Sequence, residues 1–190
     1  MKKDMTHLPE LIETERMIVR VAQPGDGASF NKAILESIEH LKDWLGWVTP
    51  PPTESQSEES CRKAYGRFLL NEDLMALFFH KETGEVIGGS GLHNADWDKR
   101  QFEVGYWGNS RYSKQGFMTE GVKALVSYAL NELKATRVYL TTDERNSASW
   151  KLAERAGFVH EGTLRNDRYD MEGNLRNTKV YSVVPSDSQR

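Results

Sequence analysis

The chain has 190 residues, 28% of them charged and 38% hydrophobic, with a formal net charge of −3. That length fits one domain with a full core, and the mildly acidic balance argues against direct nucleic-acid binding while suiting a cationic substrate such as an amine. A lone Cys61 excludes an intramolecular disulfide, the five histidines show no metal-ligand spacing with it, and no apolar run reaches signal-peptide or bilayer length, so a cytoplasmic protein without metal or membrane is expected.

Residues 1–10 and 185–190 read as polar tails of a single domain spanning 1–190. The run Arg16–Val21 alternates as a strand does and is closed by Gln23-Pro24-Gly25-Asp26. Asp26 is placed to cap a helix carrying Phe30, Ile34 and Ile38, followed by Leu41, Trp44 and Leu45 on a further turn. Ser55-Gln56-Ser57-Glu58 has the spacing of a capping box ahead of a helix through Cys61, Ala64, Tyr65, Phe68 and Leu69. Leu74–Phe79 and Val86–Leu92, joined through Gly84, form a predicted hairpin, and a third strand is expected over Gln101–Trp107.

That strand leads into Ser113-Lys114-Gln115-Gly116-Phe117-Met118-Thr119 and then into Val122, Leu125, Val126, Ala129, Leu130 and Leu133 at helical spacing. Small and polar residues at the positive end of a helix can aim several backbone N–H groups at one anion, phosphate above all. The same residues also suit a plain helix start with a glycine lead-in, and the segment alone does not separate the two. Beyond the helix, Thr136–Thr142 returns as a strand parallel to its predecessor. Asn146 is placed to cap a short helix ending at Gly157, and Phe158 onward, a turn at Met171–Asn174 and Asn177–Val184 close the sheet.

Three stretches together resemble the GNAT superfamily of N-acetyltransferases, in its ribosomal-protein N-terminal acetyltransferase (RimJ/RimL-like) branch. They are Glu13–Arg20, then Glu103-Val104-Gly105-Tyr106-Trp107 through Gly116–Glu120, then Asn146-Ser147-Ala148-Ser149 with Leu152 and Ala156-Gly157-Phe158. The family's phosphate loop, Q/R-x-x-G-x-G/A, falls on Ser113–Met118 with its central glycine at Gly116; Ser113 and Met118 depart from the pattern. The resemblance implies an α/β (α+β) fold: one mixed, mostly antiparallel sheet of about seven strands with about four helices, splayed at its central strands. It further implies acetyl-coenzyme A as donor, its pyrophosphate on the N–H groups of Ser113, Lys114, Gln115, Gly116, Phe117, Met118 and Thr119. The pantetheine arm would lie along Tyr106, Trp107 and Gly108, with Asn146 bonding it, and a backbone N–H at Tyr106 or Trp107 would hold the oxyanion.

Acetyl transfer to an amine needs a neutral amine, an oxyanion donor and a proton for the thiolate. Ser149, at the helix start, matches the family's serine near the sulfur and is the candidate acid; a purely local hydrogen bond is the competing role. Glu103, among apolar strand neighbours, and His93, at the end of the preceding strand, are the candidate bases. Asp167, Arg168 and Asp170 fall where related enzymes place substrate-contacting acids. The acceptor expected is a protein N-terminal amine, with polyamines or aminoglycoside-like amines as rivals and a non-catalytic coenzyme A-binding module as the alternative from another class. A homodimer is allowed.

Overall fold

A computed structural model describes residues 7–189; residues 1–6 and Arg190 of the expected tails lie outside the described residues. In chain order the elements are β1 (Leu11–Glu13), β2 (Met17–Val21), α1 (Gly27–Leu35), α2 (Ile38–Leu41), α3 (Glu54–Leu69), β3 (Leu74–His80) and β4 (Val86–Asp96). They continue with β5 (Gln101–Glu103), β6 (Tyr106–Gly108), α4 (Phe117–Asn131), β7 (Arg137–Asp143), α5 (Ser147–Arg155), β8 (Val159–Tyr169) and β9 (Leu175–Val183). The strands make a nine-stranded sheet in the order β1-β2-β3-β4-β5-β7-β9-β8, with β6 paired to β4 off that path. Among the described residues only β5 and β7 run parallel, as the strand-helix-strand order requires.

Two hydrophobic clusters hold the layers together. One joins Met17, Val19, Phe78, Phe102 and Leu140 to the buried stripe Val122, Leu125, Val126 and Ala129 of α4. The other joins Phe30, Ile34, Cys61, Ala64 and Leu77 on the α1 and α3 side. Burying one such aliphatic side chain contributes roughly 1.5–3 kcal/mol, so packing fixes where α4 sits. Gly121 allows the close approach, since a Cβ there would stand 2.3 Å from the Phe78 ring.

Several local expectations are corrected. The capping box is Thr53–Gln56, not Ser55–Glu58: the Gln56 amide donates to Thr53 Oγ1 at 3.2 Å and the Thr53 amide to Gln56 Oε1 at 2.8 Å. Asp26 occupies the N-cap position of α1 but caps nothing with its side chain. Its carboxylate instead accepts two hydrogen bonds from Arg20 and one from the Gln23 amide. The first helix stops at Leu35 and Ile38 begins a separate turn, because Ser37 is fully buried and its hydroxyl, which accepts from the Ser110 amide and donates to Asn109, competes with helical geometry. Strand β1 adds an edge that the sequence reading did not separate, and the long third strand divides into β5 and β6. Leu8 is buried with its amide on Asn71 Oδ1, and Pro185–Gln189 forms a 3-10 turn closed by Asp187 on the Val184 amide. Among the described residues no helix is long and apolar enough to cross a membrane.

Candidate active site

The break in the third strand positions the site. His93 pairs with Glu103 and Ser90 with Tyr106, three residues apart on both strands, so no residue is inserted. The backbone simply leaves the ladder at Val104–Gly105 and rejoins it. Two hydrogen bonds hold the deflection: the Val104 amide donates to the Tyr139 carbonyl at 2.7 Å, and the Ser90 hydroxyl to the Gly105 carbonyl at 2.7 Å. Past Glu103 and Tyr139, among the described residues, β6 pairs only with β4 and β7 only with β9. The sheet therefore splays there and leaves the β6 edge at Tyr106–Gly108 free of a strand partner, the arrangement that an extended ligand arm can complete.

Alternation sends consecutive side chains of β6 to opposite faces. Tyr106 packs toward α4 and α5, and Trp107 packs against the cluster under α1 and α3. The Tyr106 hydroxyl donates to the Ser149 carbonyl at 2.7 Å and accepts from the Ser149 hydroxyl at 3.4 Å. Burial pushes the phenol up to about 12, so it stays protonated at neutral pH. Asn146 caps α5 by accepting from the Ser149 amide at 3.1 Å, which fixes where the Ser149 side chain starts. Arg145 ties that loop down by bridging Asp143 at 2.7 Å and Asp170 at 3.0 Å. Asp170 also accepts from the Glu172 and Asn174 amides, and Asp167 pairs with Arg168. Asp170 is thus engaged in holding the β8–β9 turn, and neither it, Asp167 nor Arg168 lines the cavity described below.

At the far end of the free edge, a 3-10 turn over Ser110–Tyr112 leads to α4 through Lys114 at φ 60° and Gly116 at φ 83°. The left-handed Gly116 is the N-cap, and the first helical bond of α4 runs from the Glu120 amide to the Gly116 carbonyl. The amides of Phe117, Met118 and Thr119 precede that bond and have no carbonyl one turn behind them. Arg16, from the loop ahead of β2, clamps the joint. Its guanidinium donates to Glu120 at 2.8 Å and to the Gln115 carbonyl at 3.0 Å, and lies 4.1 Å from the centre of the Phe117 ring. With side chains 39% and 22% exposed, the Arg16–Glu120 pair contributes at most about 1 kcal/mol; its effect is to set the angle of the loop.

On the opposite face lies a cavity of about 710 Å³ between α1, α3 and the sheet, walled by Phe30, Trp47, Pro50, Met75 and Trp107 with His93 at one side. His93 Nδ1 lies 2.9 Å from Asp73 Oδ1. The carboxylate accepts from Nδ1–H, which leaves Nε2 as the bare nitrogen of the neutral ring. Gly91 makes room for that ring, since a Cβ there would fall 2.4 Å from His93 Nε2. Glycines at 88 and 89 do the same for Met118 and Trp107, each with a would-be Cβ contact of 2.6 Å. Glu103 shares the His93 face as its cross-strand partner. Its carboxylate, however, accepts from Asn94 at 2.6 Å and does not line the cavity. Cys61 is fully buried on α3 with its thiol pushed up to about 12, chiefly by desolvation, so it carries no nucleophile. No group of three or more His, Cys, Asp or Glu among the described residues is placed to hold a metal.

The acetyltransferase (GNAT) domain profile matches residues 16–159, which span the clamp, the splay, the loop and α5. The chain belongs to the GNAT family. It is an N-acetyltransferase of that family by the same match and by its relatives. YoaA of Bacillus subtilis, an N-acetyltransferase that is itself uncharacterized, is 34% identical over 92% of this chain and 96% of its own. The ribosomal-protein-serine acetyltransferase of Escherichia coli is 28% identical over 73% of this chain and 82% of its own. Among solved structures, RimL, a ribosomal alpha-N-protein acetyltransferase in complex with coenzyme A, superposes with a TM-score of 0.85 at 19% identity, covering 92% of this chain and 98% of that one. That likeness concerns the GNAT fold.

Proposed function

We propose that this chain transfers the acetyl group of acetyl-coenzyme A directly to a primary amine, with a protein N-terminal amine in the cytoplasm as the acceptor class. The observation that carries the reading is the strand break itself. It leaves a free edge and a helix start on one face of the sheet and a histidine-bearing cavity on the other, and the two meet at Tyr106. A relative named for acetylating a ribosomal-protein serine supports the acceptor class.

The residues present fit the donor. Gly116 adopts a conformation open to glycine, the amides of Phe117 to Thr119 face outward from a helix start, and the β6 edge can bond an extended amide-bearing arm. In this assignment a backbone N–H at Tyr106 or Trp107 stabilises the oxyanion. As the amine nitrogen bonds to the acetyl carbon and the carbon–sulfur bond breaks, the nitrogen's proton goes to His93 Nε2, held in register by Asp73. The departing thiolate takes a proton from the Ser149 hydroxyl, whose helix start Tyr106 anchors. His93 is preferred to Glu103 as base because it lines the cavity, whereas Glu103 is bonded to Asn94.

Incubating the protein with acetyl-coenzyme A and a panel of peptide and small amines while following thiol release tests the reading. Acceptor-dependent thiol with acetylated product is expected; tight coenzyme A binding without it would reduce the protein to a binding module.

A further inference from the structure

We infer that the acceptor is a monoamine whose nitrogen is carried on a bulky apolar or aromatic body, and that Trp47 selects for that body. This rests on the cavity being the acceptor site, as proposed above. Its walls are the argument. Phe30, Trp47 and Trp107 form a mutually packed triad with ring centres 5.7–6.4 Å apart, and Pro50, Pro52 and Met75 face the same space. Trp47 keeps half its surface exposed on a 3-10 turn over Gly46–Val48, backed by Met171 of the β8–β9 turn, where a Cβ on Gly46 would stand 3.2 Å from the Met171 methyl. An indole held in place yet left uncovered at a cavity wall is a surface that a planar apolar group would complete.

Charge points the same way. The ionisable residues lining the cavity are Glu59, Lys63, His93 and Tyr106, and the Tyr106 phenol, pushed up to about 12, is neutral. Glu59 and Lys63 neutralise each other at 2.6 Å on the exposed side of α3, and His93 is engaged by Asp73. The indole faces would attract one ammonium, but the further ammonium groups of a polyamine or aminoglycoside would find no carboxylate on the cavity wall outside an ion pair. The apolar body can be a small arylalkylamine or the first residue of a peptide, and the chemistry recognised is the same.

The test compares kcat/KM for tryptamine, peptides beginning with Phe and with Ser, and spermidine, in wild type and Trp47→Ala. The Phe peptide or tryptamine should exceed both the Ser peptide and spermidine by up to roughly tenfold, the scale of one aromatic contact. Which of those two is preferred identifies the source of the apolar body. Trp47→Ala should raise KM for the aromatic acceptor by a similar factor while KM for acetyl-coenzyme A stays put. A preference for spermidine, or use of the Ser peptide equal to that of both the Phe peptide and tryptamine, overturns the inference. A parallel fluorescence titration of the same amines into the coenzyme A-bound protein needs no turnover. Aromatic-selective binding there, lost in Trp47→Ala, would uphold the pocket even if no amine releases thiol, and unselective binding would sink it.

Discussion

The two faces of the broken strand are built from different materials. On the α4 face the proposed donor end is backbone: a free strand edge, three leading amides and a left-handed glycine, with Arg16 and Glu120 only setting the angle. On the α3 face the proposed acceptor end is side chain, with His93 oriented by Asp73 and an aromatic wall that Trp47 completes. A backbone site tolerates side-chain change wherever the dihedrals survive, which is how Ser113 and Met118 can depart from the family's loop pattern. A side-chain site changes its ligand with each substitution.

The contrast can be broken or sharpened by substitution. The largest effect is expected for His93→Gln, which keeps a polar group of similar reach but removes the proton acceptor, so kcat/KM should fall by roughly 10²–10⁴. Affinity for acetyl-coenzyme A, read by calorimetry, should not change. Gly116→Val should do the reverse, since a β-branched residue at φ 83° strains the loop by about 1–3 kcal/mol and so weakens coenzyme A binding up to roughly a hundredfold. Circular dichroism of that variant should show the native fold, and an unchanged dissociation constant would remove the loop from the donor site.

Ser149→Ala is expected to lower kcat by roughly tenfold or more, the loss of one hydrogen bond to a forming anion, with Kd for coenzyme A nearly constant. Equal losses in rate and affinity would instead mark Ser149 as a binding residue. Glu103→Gln should change the rate by less than about threefold, far below the range for a lost base; a drop within that range would move the base from His93 to Glu103.

The smallest effect on chemistry is expected at Asp143, which holds the α5 loop through Arg145. Burial alone would lift its carboxyl, but hydrogen bonds from the Arg145 side chain and amide, with the charges of Arg145 and Arg176, outweigh it and hold the group below its ordinary 3.8. A depressed carboxylate stabilises the fold above its unfolded pKa and ceases to do so as pH falls through the folded value. Asp143→Asn should therefore cost about 1–3 kcal/mol near neutral pH, on the order of 5 °C in Tm, and the gap should close below pH 3.8. A gap that persists in acid would assign the loss to packing instead of charge.

The local structure of the proposed donor end was legible in the sequence because its signals are local. Gly116 at a helix start, Asn146 three residues before Ser149 and a strand leading into both are patterns within one turn of chain, and each appears at its expected place. Of the proposed acceptor end little beyond His93 was legible, because it is assembled from α1, the loop before α3, β3 and β4. Asp73 shows why. Counting outward from the hairpin turn, where Phe79 pairs Val86, would set it opposite Leu92; a bulge at Phe78–Phe79 shifts the ladder by one and brings it to His93. The capping box failed for a simpler reason: two overlapping candidates exist, and Thr53 is the one with the extended backbone of an N-cap, whereas Ser55 lies inside the helix.

In the proposed reaction donor and acceptor occupy the two faces together, and acetyl passes between them without an enzyme-bound intermediate. Initial velocities measured over a grid of acetyl-coenzyme A and amine concentrations test this directly. Double-reciprocal lines that intersect are predicted, as for a ternary complex. Parallel lines, with an acetylated enzyme recovered when the amine is withheld, would contradict it.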